Sequence, residues 1–295
     1  MGPPLSAEAV PTPDPSRKRE GRTVREAIAA ATTRLNATSE TPRLDAELLA
    51  AHLLGIGREA MLLGRLDDMI GKTEFDALVA RRAGGEPMAY ILGHREFWSL
   101  DLAVGPGVLV PRPDSETLIE TARAHFAGKA GPESVLDLGT GSGALLLAAL
   151  WEWPDARGIG IDRSDTALVW AKRNADVLGF ATRATFRLGD WADGLEGPFD
   201  LVLCNPPYVE TGADLPRDVR DHEPAEALFA GEDGLDEYRR IARALGPLLS
   251  QNGIACIEIG ASQADRVARL LSAQGLRTRL FRDLAGRDRC LLVHS

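Results

Sequence analysis

Asn205-Pro206-Pro207-Tyr208 is the stretch of this sequence whose residue types most directly suggest chemistry. It follows the apolar run Phe199-Asp200-Leu201-Val202-Leu203-Cys204, which reads as a buried strand running out into a loop. Asn205 brings a side-chain carbonyl that accepts hydrogen bonds. The prolines bring carbonyls without N–H groups at a fixed φ, and Tyr208 brings a flat aromatic face. Together they suit a planar NH₂ group. Its two hydrogens can go to the Asn205 side-chain oxygen and the Pro206 carbonyl while its plane stacks on the ring. The structural alternative is a Pro-rich turn that carries a buried tyrosine.

A second constellation lies upstream. Leu136-Asp137-Leu138-Gly139-Thr140-Gly141-Ser142-Gly143-Ala144 ends one apolar segment and starts a helical one. Its glycines let backbone approach a ligand closely, at the strand end where open α/β sheets bind ligands. Asp162 closes the next apolar segment and can accept both hydroxyls of a ribose, which together with the glycines makes a nucleoside site. Gly139-x-Gly141-x-x-Ala144 also meets a relaxed dinucleotide fingerprint, so the glycines leave a nicotinamide cofactor and S-adenosylmethionine both open. Asp137 favours the latter, because a carboxylate suits a cationic amino-acid end better than a pyrophosphate. Trp191, after a third apolar segment, is expected either to flank an adenine ring or to be a core aromatic.

These residues need a scaffold, and the pattern supplies one. Beyond residue 133, strand-like runs at 135–138, 158–161, 184–188, 200–204 and 254–259 alternate with helical stretches at 142–152, 165–178, 236–249 and 263–273. That alternation predicts an α/β, Rossmann-like doubly wound and largely parallel sheet, with 277–281 and 289–293 adding an antiparallel pair at its edge. Residues 23–85 read as a small helical domain, opened by the capping-box spacing of Thr23 and Glu26, with further helices at 43–54, 58–63 and 73–83. Residues 86–110 read as a β-hairpin linker whose short strands include Tyr90-Ile91-Leu92-Gly93, and 111–295 as the sheet domain. Residues 1–22, rich in Pro and charge without an apolar core segment, are expected to be a disordered tail. Gly2 and Ser6 formally fit a myristoylation pattern of low specificity.

The chain has 295 residues, 44% hydrophobic and 26% charged, ordinary for a soluble protein, and no run approaches the ~20 apolar residues of a membrane helix. A net charge of −9 argues against holding nucleic acid mainly through its phosphates. The odd count of cysteines, Cys204, Cys256 and Cys290, all in apolar runs, predicts buried free thiols in a reducing compartment, hence the cytoplasm. A nucleophilic Cys204 has no nearby His in sequence to activate it. The histidines show no metal-ligand spacing, so no metal is expected.

Taken in order, these motifs resemble the PrmC/HemK family of protein-(glutamine-N5) methyltransferases. The resemblance runs from about residue 24 almost to the end. It includes Asp45-Ala46-Glu47, Gly85-Glu86-Pro87, Arg95-Glu96-Phe97, Pro111-Arg112-Pro113-Asp114-Ser115-Glu116, the glycine segment, the Asn205 tetrad, Asp218-Val219-Arg220 with Glu223-Pro224, 231–236 and Asp283-Leu284-Ala285-Gly286-Arg287. It implies S-adenosylmethionine as cofactor, leaving as S-adenosylhomocysteine, held by Gly139, Thr140, Gly141, Ser142, Gly143, Asp162, Trp191 and Asn205. It also implies a peptide-chain release factor as partner, with the glutamine of its Gly-Gly-Gln loop held by Asn205, Pro206, Pro207 and Tyr208. Of these, Asn205, Pro206 and Tyr208 would carry the chemistry. Phe97 and residues 112–116 would line the same cleft, with Ser115 standing where many relatives have threonine. A monomer with no direct nucleic-acid or membrane contact is expected. The remaining alternatives are a methyltransferase acting on a nucleobase amino group, a catalytically silent S-adenosylmethionine-binding module, and a nicotinamide oxidoreductase.

Overall fold

In the computed structural model, which describes residues 21–295, the chain divides into two units, one ending at Gly85 and one starting at Glu86. The first unit begins with strand β1 (Gly21–Thr23), then α1 (Val24–Leu35), α2 (Pro42–Leu54), α3 (Arg58–Gly64), β2 (Met69–Gly71) and α4 (Lys72–Ala83). Thr23 caps α1 as its spacing predicts: its hydroxyl accepts from Glu26 N, and the Glu26 carboxylate accepts from Thr23 N at 2.9 Å. Gly55, at φ 65°, ends α2 in the left-handed conformation that a Cβ disfavours. Val24, Ala27, Ile28, Ala31 and Leu35 of α1 are buried, as are Leu49 and Ala50 of α2 and Phe75 and Val79 of α4. Asp45 of α2 is also buried, where Arg82 Nε donates to it at 2.7 Å. A buried charge needs such a partner.

Two residues assigned to the expected tail lie in a strand. Gly21 and Arg22 belong to β1, which pairs antiparallel with β2 in a two-stranded ribbon. Neither three-residue strand has enough alternation to be read from sequence. Residues 1–20, including the Gly2 and Ser6 pattern, lie outside the described residues.

The second unit opens with α5 (Met88–Leu92) and the hairpin of β3 (His94–Phe97) and β4 (Leu100–Ala103). The expected strand at 90–93 is therefore helical. Pro87 starts this short helix, Gly93 ends it at φ 80°, and the Tyr90 hydroxyl donates to Val108 O at 2.5 Å. Burial of Ala89, Tyr90 and Ile91 outweighs the strand preference of Tyr and Ile. A single 3₁₀ turn (Pro113–Ser115) then leads into α6 (Glu116–Phe126).

The sheet follows as β5 (Ser134–Leu138), α7 (Ala144–Glu152), β6 (Arg157–Asp162), α8 (Asp165–Val177), β7 (Ala184–Leu188), β8 (Phe199–Cys204), α9 (Arg217–His222), a 3₁₀ turn (Ala225–Ala227), α10 (Asp236–Leu248), β9 (Leu249–Glu258), α11 (Ala264–Ser272), β10 (Arg277–Arg282) and β11 (Asp288–His294). The seven strands lie in the order β10-β11-β9-β8-β5-β6-β7. β5 to β9 are parallel, and β11 joins β9 antiparallel, with β10 at the edge. Alternate residues serve opposite faces: Val135, Leu201 and Leu203 pack with α6, α7 and α8, while Leu136, Leu138 and Val202 pack with α10 and α11. Every residue of α7 from Ala144 to Leu150 is buried, which explains why that stretch has no polar face. The chain proceeds outward from β5 through β6 to β7, then returns to β8 on the other side of β5. That reversal opens a crevice beyond the carboxyl ends of β5 and β8, where ligands of such sheets bind.

Candidate active site

Both constellations meet at this crevice. A cleft of about 1010 Å³, counting solvent at its mouth, is lined by Gly139 to Ser142 after β5, Asp162 after β6, Trp191 after β7, and Asn205 and Pro207 after β8. Phe97, Arg112 and Ser115 complete another part of the wall. Gly143 lies just behind, as the residue capping α7.

The glycine turn is shaped by conformations that only glycine adopts cheaply. Gly139 has φ 72°, and a Cβ there would meet the Trp191 ring at 3.3 Å and Asn205 O at 3.9 Å. The turn is fastened to the next strand, with Gly139 N and Thr140 N both donating to Ile161 O at 2.9 Å. Asp162 accepts from Gly141 N at 2.8 Å and Ser164 N at 2.9 Å, and burial raises its pKa from the ordinary value. Each of its oxygens retains a lone pair for a further donor. Trp191 has φ 50°, unusual for a side-chain-bearing residue, and its indole donates to Glu237 Oε2 at 2.5 Å. Its ring both lines the cleft and packs against the core.

Asp137 does not reach the cleft wall. It is fully buried beneath the turn, where Thr140 Oγ1 donates to its Oδ2 at 2.6 Å and Leu146 N at 3.3 Å, while Oδ1 has no partner among the described residues. Burial pushes its carboxyl up to about 7. Direct contact with a ligand's cationic end, the sequence expectation, is replaced by support of Thr140 from below.

At the end of β8, Asn205 Nδ2 donates to Ser115 Oγ at 3.0 Å, which leaves Asn205 Oδ1 as an acceptor uncommitted among the described residues. Pro206 is buried. Tyr208 stands beside the cleft rather than on its wall, fixed by Gln263 Nε2 donating to Tyr208 O at 2.9 Å and by its own hydroxyl donating to Glu258 Oε1 at 3.4 Å. Burial pushes the Tyr208 phenol up to about 12, so it stays neutral. Burial also raises the Cys204 thiol well above its ordinary value, and all three cysteines are free and buried. Among the described residues, no group of three or more His, Cys, Asp and Glu is placed to hold a metal ion.

Glu258 and Gln263 were not singled out by sequence. Glu258 carried a usable signal: like Asp162, it is a carboxylate terminating an apolar parallel strand.

The cleft is paralleled by sequence. The chain is 46% identical over 261 residues to the release factor glutamine methyltransferase of Rhodospirillum rubrum, covering 86% of this chain and 79% of that one. It is 40% identical over 281 residues to the enzyme of the same name from Moorella thermoacetica, covering 92% and 98%. The chain belongs to the release factor glutamine methyltransferase family. Consistent with that family, a domain model described as the PrmC N-terminal domain matches residues 26–93, and one described as a methyltransferase domain matches 131–260. Among solved structures, the hMettl16 catalytic domain matches with a TM-score of 0.53 at 16% identity, covering 74% of this chain and 81% of that one. The T. thermophilus 16S rRNA methyltransferase RsmC matches at 0.51 and 18% identity, covering 68% and 49%. These likenesses place the sheet unit of this release factor glutamine methyltransferase family member in the class I S-adenosylmethionine-dependent fold. The residues present fit that cofactor: a cradle that a Cβ would fill, a carboxylate with lone pairs to spare, and a flat indole wall.

Proposed function

We propose that the chain transfers a methyl group from S-adenosylmethionine to the side-chain amide nitrogen (N5) of the glutamine in the Gly-Gly-Gln motif of peptide-chain release factors, acting in the cytoplasm as a monomer without direct contact to nucleic acid. The observation that carries this reading is Asn205 Oδ1, an uncommitted acceptor in a cleft shared with the glycine turn, within a chain 46% identical to a release factor glutamine methyltransferase.

In this reading the backbone of Gly139 to Gly143 and the Thr140 and Ser142 side chains hold the amino-acid part of the cofactor, Asp162 accepts the ribose hydroxyls, and Trp191 flanks the adenine. Bound S-adenosylmethionine supplies an electrophilic methyl carbon on a sulfonium. The protein's task is the nucleophile. A primary amide nitrogen is weak because its lone pair is delocalised into the carbonyl, the same resonance that gives a peptide bond its ~18–20 kcal/mol rotation barrier. Asn205 Oδ1 and the Pro206 carbonyl accept the two amide hydrogens, which pushes electron density toward nitrogen and fixes its direction. Pro207 closes the wall, and the Tyr208 ring packs on the amide plane and excludes water. Once methylated the nitrogen is strongly acidic and loses its proton to water, so the neutral Tyr208 phenol need not act as a base.

A nucleobase amino group, the rival substrate, has less support, since the net charge is −9 and the PrmC N-terminal domain match covers residues 26–93. The test is mass analysis of a Gly-Gly-Gln release factor after incubation with the chain and S-adenosylmethionine. One added methyl on the loop glutamine is expected. An unmodified release factor beside methylated DNA or RNA would overturn the reading.

A further inference from the structure

Trp191 is a large side chain in an unfavourable backbone conformation, and the first turn of α10 holds it there. At φ 50° it lies in the left-handed region, where a Cβ is crowded and where strained residues at ligand sites are often found. Glu237, the second residue of α10, accepts from the indole Nε1 at 2.5 Å. Arg240 follows one turn later. It donates to the same Glu237 oxygen at 3.0 Å, and also to Oδ2 of Asp190, the residue before Trp191. Arg240 thereby anchors the chain leading into Trp191, while Glu237 anchors its ring.

The other edge of the indole is fixed as well. A Cβ on Gly139 would meet its six-membered ring at 3.3 Å, so the ring is bounded by the glycine turn at one edge and by α10 at the other. Gly189 N donates to Asp162 O at 3.0 Å, which fastens the same segment to the end of β6. Asp190, Trp191 and Glu237 all line the cleft. The Glu237 side chain is only 15% exposed, so water competes poorly for its bond to the indole. An indole has a single donor, at its ring edge. Committing that donor to a carboxylate already held by Arg240 sets the rotation of the ring about its Cβ–Cγ bond. A wall fixed in this way loses little side-chain entropy when a ligand settles against it.

We infer that Glu237 is a positioning residue for S-adenosylmethionine binding, oriented by Arg240 and acting through the indole N–H to hold Trp191 as a preset aromatic wall. This rests on the proposed role of Trp191 against adenine. Glu237 acts on the ring and not on the reacting atoms, so its contribution falls on cofactor affinity rather than on turnover.

The test measures the Kd of S-adenosylmethionine and of S-adenosylhomocysteine by calorimetry, with kcat for release factor at saturating cofactor. The proteins are wild type, Glu237→Ala, Glu237→Gln, Trp191→Phe, the double variant Glu237→Ala with Trp191→Phe, and Trp191→Ala. Glu237→Ala is expected to weaken both ligands by about 10-fold, the scale of one hydrogen bond to a charged group, with kcat at saturation within about twofold. Glu237→Gln keeps an acceptor for the indole and should recover most of the affinity. Trp191→Phe keeps an aromatic face but has no N–H, so in that background Glu237→Ala should change affinity by less than about twofold. An effect of Glu237 on α10 alone would instead add to that of Trp191→Phe. A loss of the same size in both backgrounds therefore overturns the inference, as does a loss confined to kcat. If Glu237→Ala does not fold, Trp191→Phe decides: weaker binding is expected, and wild-type affinity overturns the inference. Additive losses beside a Trp191→Ala variant that binds cofactor weakly leave Trp191 as the adenine wall, whereas wild-type affinity in Trp191→Ala removes both.

Discussion

Gly141 N donates to Asp162 Oδ2 at 2.8 Å, so the turn after β5 and the carboxylate after β6 form one rigid piece of the cleft floor. The carboxylate is therefore held in place before any ligand arrives, and in its proposed role of accepting the ribose hydroxyls it would need little reordering. Asp162→Ala is expected to weaken S-adenosylmethionine binding by about two orders of magnitude, the scale of two hydrogen bonds to a charged acceptor at ~1.5 kcal/mol each. Isothermal titration calorimetry measures it. Affinity unchanged within a factor of two would take the ribose away from this residue.

Asn205 should separate binding from chemistry. Asn205→Ala removes the uncommitted Oδ1 but leaves the glycine turn and Asp162 intact. Cofactor affinity is expected to stay within about tenfold while most of kcat is lost, because the gain from this acceptor is largest in the transition state. A loss confined to KM for release factor would mean that Asn205 only binds substrate.

The buried carboxylates make a statement about stability and pH. Asp137 and Glu258 are each pushed up to about 7 by burial, so in this range the folded chain holds protons that the unfolded chain has already released. Stability from these two groups is present at acidic pH and declines as pH rises through the window from the ordinary carboxylate range to about 7. Asp137→Asn keeps a neutral group with an acceptor for Thr140 and removes that decline. Its melting temperature relative to wild type should be higher at pH 8 than at pH 5, read by scanning calorimetry without cofactor. A difference independent of pH would show that Asp137 is already ionised in the folded chain.

Much of this was legible in the sequence because the signals were local. The period of apolar residues gave the parallel strands, and the glycine spacing and the Asn205 tetrad sat at strand ends where sheet geometry brings them together. What escaped was set by distant partners. Tyr90-Ile91-Leu92-Gly93 has strand-like residue types, yet Pro87 and Gly93 bracket a helical turn whose buried face decides the outcome. Asp137 looked like a ligand contact because the glycine turn after it lines the cleft, but side chains alternate along a strand and it turns into the layer beneath. Ser115 meets Asn205 across 90 positions of sequence, a pairing that no spacing rule reaches.

Asn174 offers the sharpest test of how the cleft floor is held. From the buried face of α8 its Nδ2 donates to Ala103 O at 3.0 Å and Ser142 O at 2.9 Å, and its Oδ1 accepts from Ala103 N at 2.8 Å. One side chain thus ties the end of β4 to the glycine turn. Asn174→Ala strands these backbone groups, at a cost of roughly 2–4 kcal/mol if each loses its partner without gaining water. Asn174→Asp keeps the acceptor for Ala103 N but turns both donors into a charge facing two carbonyl oxygens. At pH 7 the order of stability by urea unfolding should therefore be wild type, then Ala, then Asp, although aspartate is the closer match in shape. Cofactor affinity should fall in the same order, because Ser142 lies on the cleft wall. An aspartate variant more stable than the alanine one would show that volume, not hydrogen-bond polarity, is what this position supplies.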